Sequence, residues 1–346
     1  MHILVDITHP AHVHFFRNAI CLWRRNGHEV LITAREKDIA LNLLQRYGLE
    51  YEDLGPAKTG LLGLGSELCS RTAKLGRLMR KFRPDVMTAI GGVFIAQAGF
   101  WLRVPSVVFY DTENAWLSNL LTYPFCTTVS TPDCYEGRVP RSKHHTYAGY
   151  HELAYTHPNY FQPDPEKLSL FDLTPETPFI LLRLVSWGAA HDVRDHGFTG
   201  VVEAVHRLEP FGRVLISSEA TLPDTLQPYR IVSSPELIHH LLAFARLFIG
   251  ESATMASESA TLGTPAILVS TSVRGYTNEQ ERRYGLTFTF SDPKAAQRDA
   301  LNKAVEILES PNSEKKWQER RSRMLSEKID VTRQIVSLVE SHGSQA

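Results

Sequence analysis

The sequence predicts an α/β protein built from two successive, doubly wound parallel sheets. Short apolar runs alternate with amphipathic stretches of helical length, the pattern of strands covered by helices on both faces. The alternation weakens over Tyr150–Pro165, where HPNYFQPDPEK is rich in proline and polar residues, and then restarts. A length of 346 residues suits two domains, each large enough to bury its own core.

In chain order, Ile3–Ile7, His28–Thr33, Asp85–Ile90, Ser106–Tyr110 and Thr127–Ser130 read as strands of the first domain. Phe16–Arg25 and Ile39–Tyr47 read as helices between them. After the linker, Phe179–Leu184, Arg213–Ser217, Leu247–Gly250 and Ala266–Ser270 read as strands, and Phe198–Leu208, Glu236–Ala245 and Ala253–Leu262 as helices. Lys294–Val339 is helical and strongly charged, and a final helix is expected to fold back on the first domain. The expected domains are therefore 1–155 and 156–346.

Composition excludes several classes. Lysine plus arginine (37) balances aspartate plus glutamate (38), so no basic field marks nucleic acid as the main partner. The four cysteines, Cys21, Cys69, Cys126 and Cys134, form no CxxC pair and read as buried thiols. MHILVDITHP lacks the basic start and long apolar core of a targeting segment. The most apolar stretch, Val93–Tyr110, is interrupted by Arg103 and Pro105 and is too short to span a bilayer. A cytoplasmic protein is expected. Charge is uneven: residues 1–155 carry a net +3 and the rest −4. The basic excess lies in Lys58–Arg83, where Glu67 is the single acid. That stretch reads either as a solvated helix face or as a peripheral contact with anionic lipid or a lipid-phosphate acceptor.

Five segments carry the chemistry. GESATMASESATLGTPAILVS, residues 250–270, runs from a strand end into a helix. The small residues Gly250, Ser252, Ala253 and Thr254 would let a diphosphate reach the free N–H groups of the helix start. Glu258, one turn beyond Thr254, would accept the hydroxyls of a ribose; helix capping is the plainer role of Ser252 or Thr254. The second segment places His9, His12 and His14 after the first strand, where ligands bind in open α/β sheets. Their spacing is not that of a metal-binding helix, and a neutral histidine there can take a proton from a hydroxyl. Third, Asp111 and Glu113 follow a strand and could orient a histidine, bind sugar hydroxyls or cap a helix. Fourth, Gly91 and Gly92 mark a close approach of backbone to ligand. Fifth, Arg183 and Ser186 end the first strand of the second domain, and Arg183 suits a phosphate. Neither GxGxxG nor GxxxxGK[ST] occurs, which argues against a dehydrogenase or a P-loop NTPase.

VDITHPAHVHFFRN, YDTEN, AGYHELAYTHP and IGESATMASESATLGTPAI together resemble the predicted glycosyltransferases catalogued as domain of unknown function 354, over roughly residues 1–310. That family is assigned to the GT-B superfamily, with the lipid-II N-acetylglucosaminyltransferase and the UDP-N-acetylglucosamine 2-epimerases as relatives. The resemblance implies two Rossmann-like domains facing across a cleft, with His12 and Glu258 looking into it from opposite sides. Ala11-His12-Val13 resembles the transferase's Gly-His-Val, which favours His12 as base. Glu258 matches the glutamate that holds the uridine ribose, and Ser252-Ala253-Thr254 stands where the epimerases have Ser-Gly-Gly. The catalytic histidine of the epimerases has no counterpart near Val185.

The resulting expectation is a GT-B glycosyltransferase that moves a sugar from a nucleotide-diphosphate sugar, UDP-linked, to a glycan or lipid-linked acceptor with inversion. It needs no metal and no cofactor. His12, Asp111 and Glu113 form the catalytic set. Arg183, Ser186, Gly250, Ser252, Ala253, Thr254 and Glu258 bind the nucleotide sugar, and His9, His14, Gly91 and Gly92 complete the cleft. The alternatives are a 2-epimerase-like isomerase and a non-catalytic nucleotide-sugar binding protein.

Overall fold

The computed structural model describes residues 1–36, 39–56, 60–185, 200–219, 221–272 and 274–343. It divides into two compact units, one formed by residues 1–155 and 329–346, the other by residues 156–328.

Unit 1 contains β1 (His2–Ile7), α1 (Pro10–Arg25), β2 (Glu29–Glu36), α2 (Ala40–Arg46), β3 (Glu52–Pro56), α3 (Gly60–Phe82), β4 (Val86–Ile90), α4 (Val93–Leu102), β5 (Ser106–Phe109), α5 (Trp116–Thr122), β6 (Thr128–Pro132) and β7 (His144–Tyr147), followed by the single turn α6 (Leu153–Thr156). Its seven strands are parallel in the order β3-β2-β1-β4-β5-β6-β7. After His2, central β1 is apolar except for Asp6 because helices cover both faces; Ile3, Leu4, Val5 and Ile7 are fully buried. Leu4, Met87 and Val108 pack with Leu75, Met79, Ile95 and Ala96 of α3 and α4. Asp6 is buried among these apolar neighbours, held by Thr33 and Arg71 at 2.8 Å each, and burial raises its pKa.

Helix α1 starts at Pro10, six residues before the amphipathic pattern becomes clear. Proline's fixed φ suits the first helical position, and the His9 side chain caps the helix by accepting from the Ala11 amide at 3.2 Å. His12 and His14 are therefore helical residues rather than loop residues. The stretch read as a linker opens with packed residues: Tyr150 and Leu153–Thr156 are buried, and the exposed polar run begins only at His157.

Unit 2 contains β8 (Phe179–Leu184), α7 (Val201–Leu208), β9 (Arg213–Ser218), α8 (Ile238–Phe244), β10 (Leu247–Gly250), α9 (Ala253–Leu262), β11 (Ala266–Val269), α10 (Gly275–Glu279), β12 (Thr287–Phe290), α11 (Ala296–Glu309) and α12 (Ser313–Glu327). Its five parallel strands lie in the order β12-β11-β10-β8-β9. Phe179, Leu181, Phe248 and Leu268 from the strands pack with Leu241, Leu242 and Ala256 from the helices. The last helix, α13 (Val331–Gly343), returns to unit 1 and packs on α1 and β4.

Candidate functional site

Open α/β sheets bind ligands beyond the carboxyl ends of their strands, where the strand order reverses. In unit 1 the reversal lies between β1 and β4, and in unit 2 between β8 and β10. The sequence-predicted residues collect at these two places.

At the unit 1 reversal, β1 leads into Thr8, His9 and the first turn of α1. The half-buried His12 turns its Nδ1 back to Thr8, 3.3 Å from both the amide nitrogen and the hydroxyl oxygen. The amide can only donate, which puts the ring proton on Nε2, and the hydroxyl can join it by donating to the same nitrogen. The hydroxyl can instead accept from Nδ1–H, and only that state places the lone pair on Nε2, where the ring could act as a base. The His9 ring lies 5.9 Å from that of His12, centroid to centroid. His14 points elsewhere: it is buried, 3.4 Å from the Tyr47 hydroxyl and 5.3 Å from the Tyr155 ring.

Beside this turn, Gly91 and Gly92 end β4 with φ of 72° and 70°. A Cβ on Gly92 would meet Val108 Cγ1 at 2.5 Å, so both conformation and space require glycine. The Tyr110 hydroxyl donates to the Gly91 carbonyl at 2.7 Å, and burial pushes its pKa up to about 12, so it stays a donor. Asp111 pairs with His151 Nδ1 at 3.1 Å. His151, just past β7, is buried against Phe15 of α1 at 4.4 Å, and its Nε2 has no hydrogen-bond partner among the described residues. An aspartate on Nδ1 fixes the tautomer whose Nε2 is a lone pair. Glu113 accepts from the Glu136 amide at 3.4 Å.

At the unit 2 reversal, Gly250 ends β10 where a Cβ would meet the Arg183 carbonyl oxygen at 2.4 Å, so only glycine lets β8 and β10 run this close. Glu251 then accepts from the Val185 amide at 2.7 Å and ties the two strand ends together. Ser252 caps α9, its Oγ accepting from the Met255 amide at 3.3 Å. The amides of Ala253 and Thr254 belong to the first turn, which has no acceptor within the helix. Arg183 donates from Nη1 to Ser217 Oγ at 2.8 Å, and its Nη2 pairs with Glu219. A phosphate at Arg183 therefore competes with a carboxylate. Glu258 does not stand open beside the first turn as its spacing suggests: it is 5 % exposed and meets His239 Nε2 at 3.0 Å.

The structure thus brings His9, His12, Gly91 and Gly92 to one strand reversal, and Arg183, Gly250, Ser252, Ala253 and Thr254 to the other. His14 is buried against Tyr47 and Tyr155, and Glu113 accepts from the Glu136 amide. Ser186 lies outside the described residues. Sequence reasoning missed His151 and His239. The first follows a strand, β7, that carries no apolar run, and the second meets Glu258 only through tertiary packing.

The two sheets and the furnished strand ends define an α/β protein of the GT-B class. Residues 1–280 match the family described as "Protein of unknown function (DUF354)", and the chain belongs to that family. It is 22% identical over 274 residues to the uncharacterized protein MJ0665 of Methanocaldococcus jannaschii, covering 77% of this chain and 80% of that one. Its fold is similar to that of the UDP-GlcNAc 2-epimerase from Neisseria meningitidis bound to UDP-GlcNAc, with TM-score 0.68, 12% identity and coverage of 92% and 94% of the two chains. The UDP-GlcNAc 2-epimerase of M. jannaschii gives TM-score 0.63 at 15% identity, covering 94% and 99%. The spinosyn forosaminyltransferase SpnP gives TM-score 0.63 at 13% identity, covering 98% and 100%. At these identities the likeness shows the fold.

Proposed function

We propose that the protein is a glycosyltransferase that takes its sugar from a UDP-linked donor, without a metal ion. The observation that carries this reading is the different furnishing of the two strand reversals. Unit 2 offers small residues, a serine-capped helix start and Arg183, which suit a diphosphate. Unit 1 offers a half-buried histidine whose Nε2 becomes a base when the ring proton moves to Nδ1, facing the Thr8 hydroxyl. Glycosyltransferases and UDP-GlcNAc 2-epimerases share the fold, and both kinds of neighbour support a nucleotide sugar as substrate.

In the transferase reading the diphosphate lies against the amides of Ala253 and Thr254, and the Glu258 carboxylate accepts from the ribose hydroxyls while keeping its contact with His239. His12 Nε2 removes the proton of an acceptor hydroxyl while the Thr8 hydroxyl accepts from Nδ1–H. The acceptor oxygen bonds to the anomeric carbon and the bond from that carbon to the diphosphate breaks. The departing charge is met by the α9 amides, its dipole and Arg183. The acceptor is a glycan or a lipid-linked hydroxyl. A thermal-shift screen of nucleotides and nucleotide sugars tests the donor. UDP compounds should raise the melting temperature, and equal shifts with every nucleotide would overturn the assignment. Release of UDP dependent on an added acceptor tests the transfer.

The Asp111–His151 pair favours a second reading, an isomerase of the nucleotide sugar, because such a pair can move a proton without any acceptor. Conversion of UDP-GlcNAc to its epimer with no second substrate would select it.

A further inference from the structure

We propose that the α4–α5 face of unit 1 docks on the surface of an anionic phospholipid bilayer. The proposal stands independently of the donor and base assignments above.

Helix α4 reads VFIAQAGFWL, with Gln97 its single polar side chain. A helix apolar all round belongs in a core or against a lipid or protein partner, yet α4 lies on the outside of unit 1. Phe100 and Trp101 are 53% and 76% exposed, and Leu102 is exposed beside them. On α5, Trp116 is 72% exposed and Leu120 62%, with Leu117 between them. The two helices are neighbours: Gln97 Nε2 donates to the Leu121 carbonyl at 3.4 Å, and the Phe100 ring lies 5.4 Å from that of Phe125. Two exposed tryptophans, a phenylalanine and three leucines on one helix layer far exceed the scattered apolar residues of an ordinary surface.

Charge selects the occupant. The Arg71 guanidinium sits 4.3 Å over the Phe94 ring, which places α3 beside α4 in the same layer. Along α3 and its end, Lys74, Arg77, Arg80, Lys81 and Arg83 are exposed. On the far side Arg103, exposed, follows Trp101 and Leu102 directly. Ser70–Phe82, α4 and α5 contain no aspartate or glutamate. The carboxylates that flank these segments in the chain are Glu67, Asp85, Asp111 and Glu113; Asp85 is engaged by the His2 amide at 2.7 Å, Asp111 by His151 and Glu113 by the Glu136 amide. An aromatic and leucine face bordered by the exposed cations of α3 and by Arg103 fits the interface of an anionic bilayer, where tryptophan rings lie at headgroup depth and each cation adds attraction.

The test uses the full chain with vesicles of phosphatidylcholine alone and of phosphatidylcholine with phosphatidylglycerol. Co-sedimentation should require phosphatidylglycerol, weaken with added salt, and shift tryptophan emission to shorter wavelength. The surface variant Trp101→Ser/Trp116→Ser should bind roughly tenfold or more weakly with its melting temperature unchanged. The variant Lys74→Glu/Arg77→Glu/Arg80→Glu should lose roughly 100-fold. Absence of binding to phosphatidylglycerol vesicles would overturn the proposal, as would full binding by the tryptophan variant. Dimerisation in solution that the tryptophan variant abolishes, without vesicle binding, would make the face a self-interface instead.

Discussion

The first turns of α1 and α9 each follow a strand that flanks the reversal of a parallel sheet, α1 after the first strand of its unit and α9 after the strand across the reversal, and they are built for opposite tasks. Helix α1 is capped by the imidazole of His9, has proline at its first position and carries His12 in that turn. Proline removes one N–H, and titratable rings fill the space where a phosphate would sit. Helix α9 is capped by the short Ser252, begins with Ala253 and Thr254, and is entered through a glycine that no larger residue could replace. One helix start supplies proton chemistry and the other supplies unencumbered backbone donors. The same element of fold becomes an acid–base site or an anion site according to the size of its first four side chains.

The sharpest way to break this contrast is His12→Ala. A general base contributes roughly 10²–10⁴-fold, so kcat should fall by about that factor while UDP affinity is unchanged. Turnover and calorimetric titration on the same preparation separate the two effects. If Asp111→Ala is inactive and His12→Ala is not, the base belongs to the His151 pair. His14→Ala should act through folding, because His14 packs between Tyr47 and Tyr155.

On the other side of the contrast, Glu258→Ala should weaken UDP binding by roughly 1–3 kcal/mol, the scale of a lost charge-assisted hydrogen bond. It should also lower stability, because it leaves His239 buried without this partner. Parallel loss of both would be expected of a residue serving ligand and core. Stability loss with unchanged UDP affinity would leave Glu258 a core residue.

How far these roles could be read from sequence follows burial. Strands in the middle of a sheet are covered on both faces, so β1, β4, β5, β8 and β10 stand out as apolar runs. Of the four edge strands, β3 and β7 carry the short polar sequences EDLGP and HHTY and β12 the four residues TFTF, and these three were not legible, whereas β9 was, through its buried Val214–Ile216. His151 was lost with β7. The start of α1 was hidden for another reason: THPAHVH has no apolar period, and only the cap and the proline mark it. Glu258 was legible as a residue but not in its setting, since His239 lies 19 residues away on α8. The exposed rows of α4 and α5 were invisible because an apolar run looks the same whether a sheet or solvent lies beneath it.

A smaller effect is expected of Thr8→Val. It removes the hydroxyl that accepts from His12 Nδ1–H and leaves the amide, which favours the tautomer with the proton on Nε2. A neutral-tautomer preference of about 1 kcal/mol would reduce kcat several-fold without changing UDP affinity. Unchanged kcat would show that the hydroxyl does not set the ring's state.

The smallest expected effect is none. Activity should survive a chelator, because each helix start already carries what a divalent ion would supply. At α9 the diphosphate meets the helix dipole, first-turn amides and Arg183. At α1 the three histidines do not converge on one point. His9 Nδ1 is spent on the Ala11 amide, His12 Nδ1 on Thr8, and His14 is buried against Tyr47 and Tyr155. A zinc ion needs its ligand nitrogens about 2 Å away on a common centre, and His9 could ligate through either nitrogen only by giving up the lone pair that accepts from the Ala11 amide, so α1 would lose its cap. Turnover measured before and after EDTA decides the matter. Loss of activity restored by one divalent ion would mean that the first turn of α1 rearranges around a metal, and the contrast between the two helix starts would then be drawn in the wrong terms.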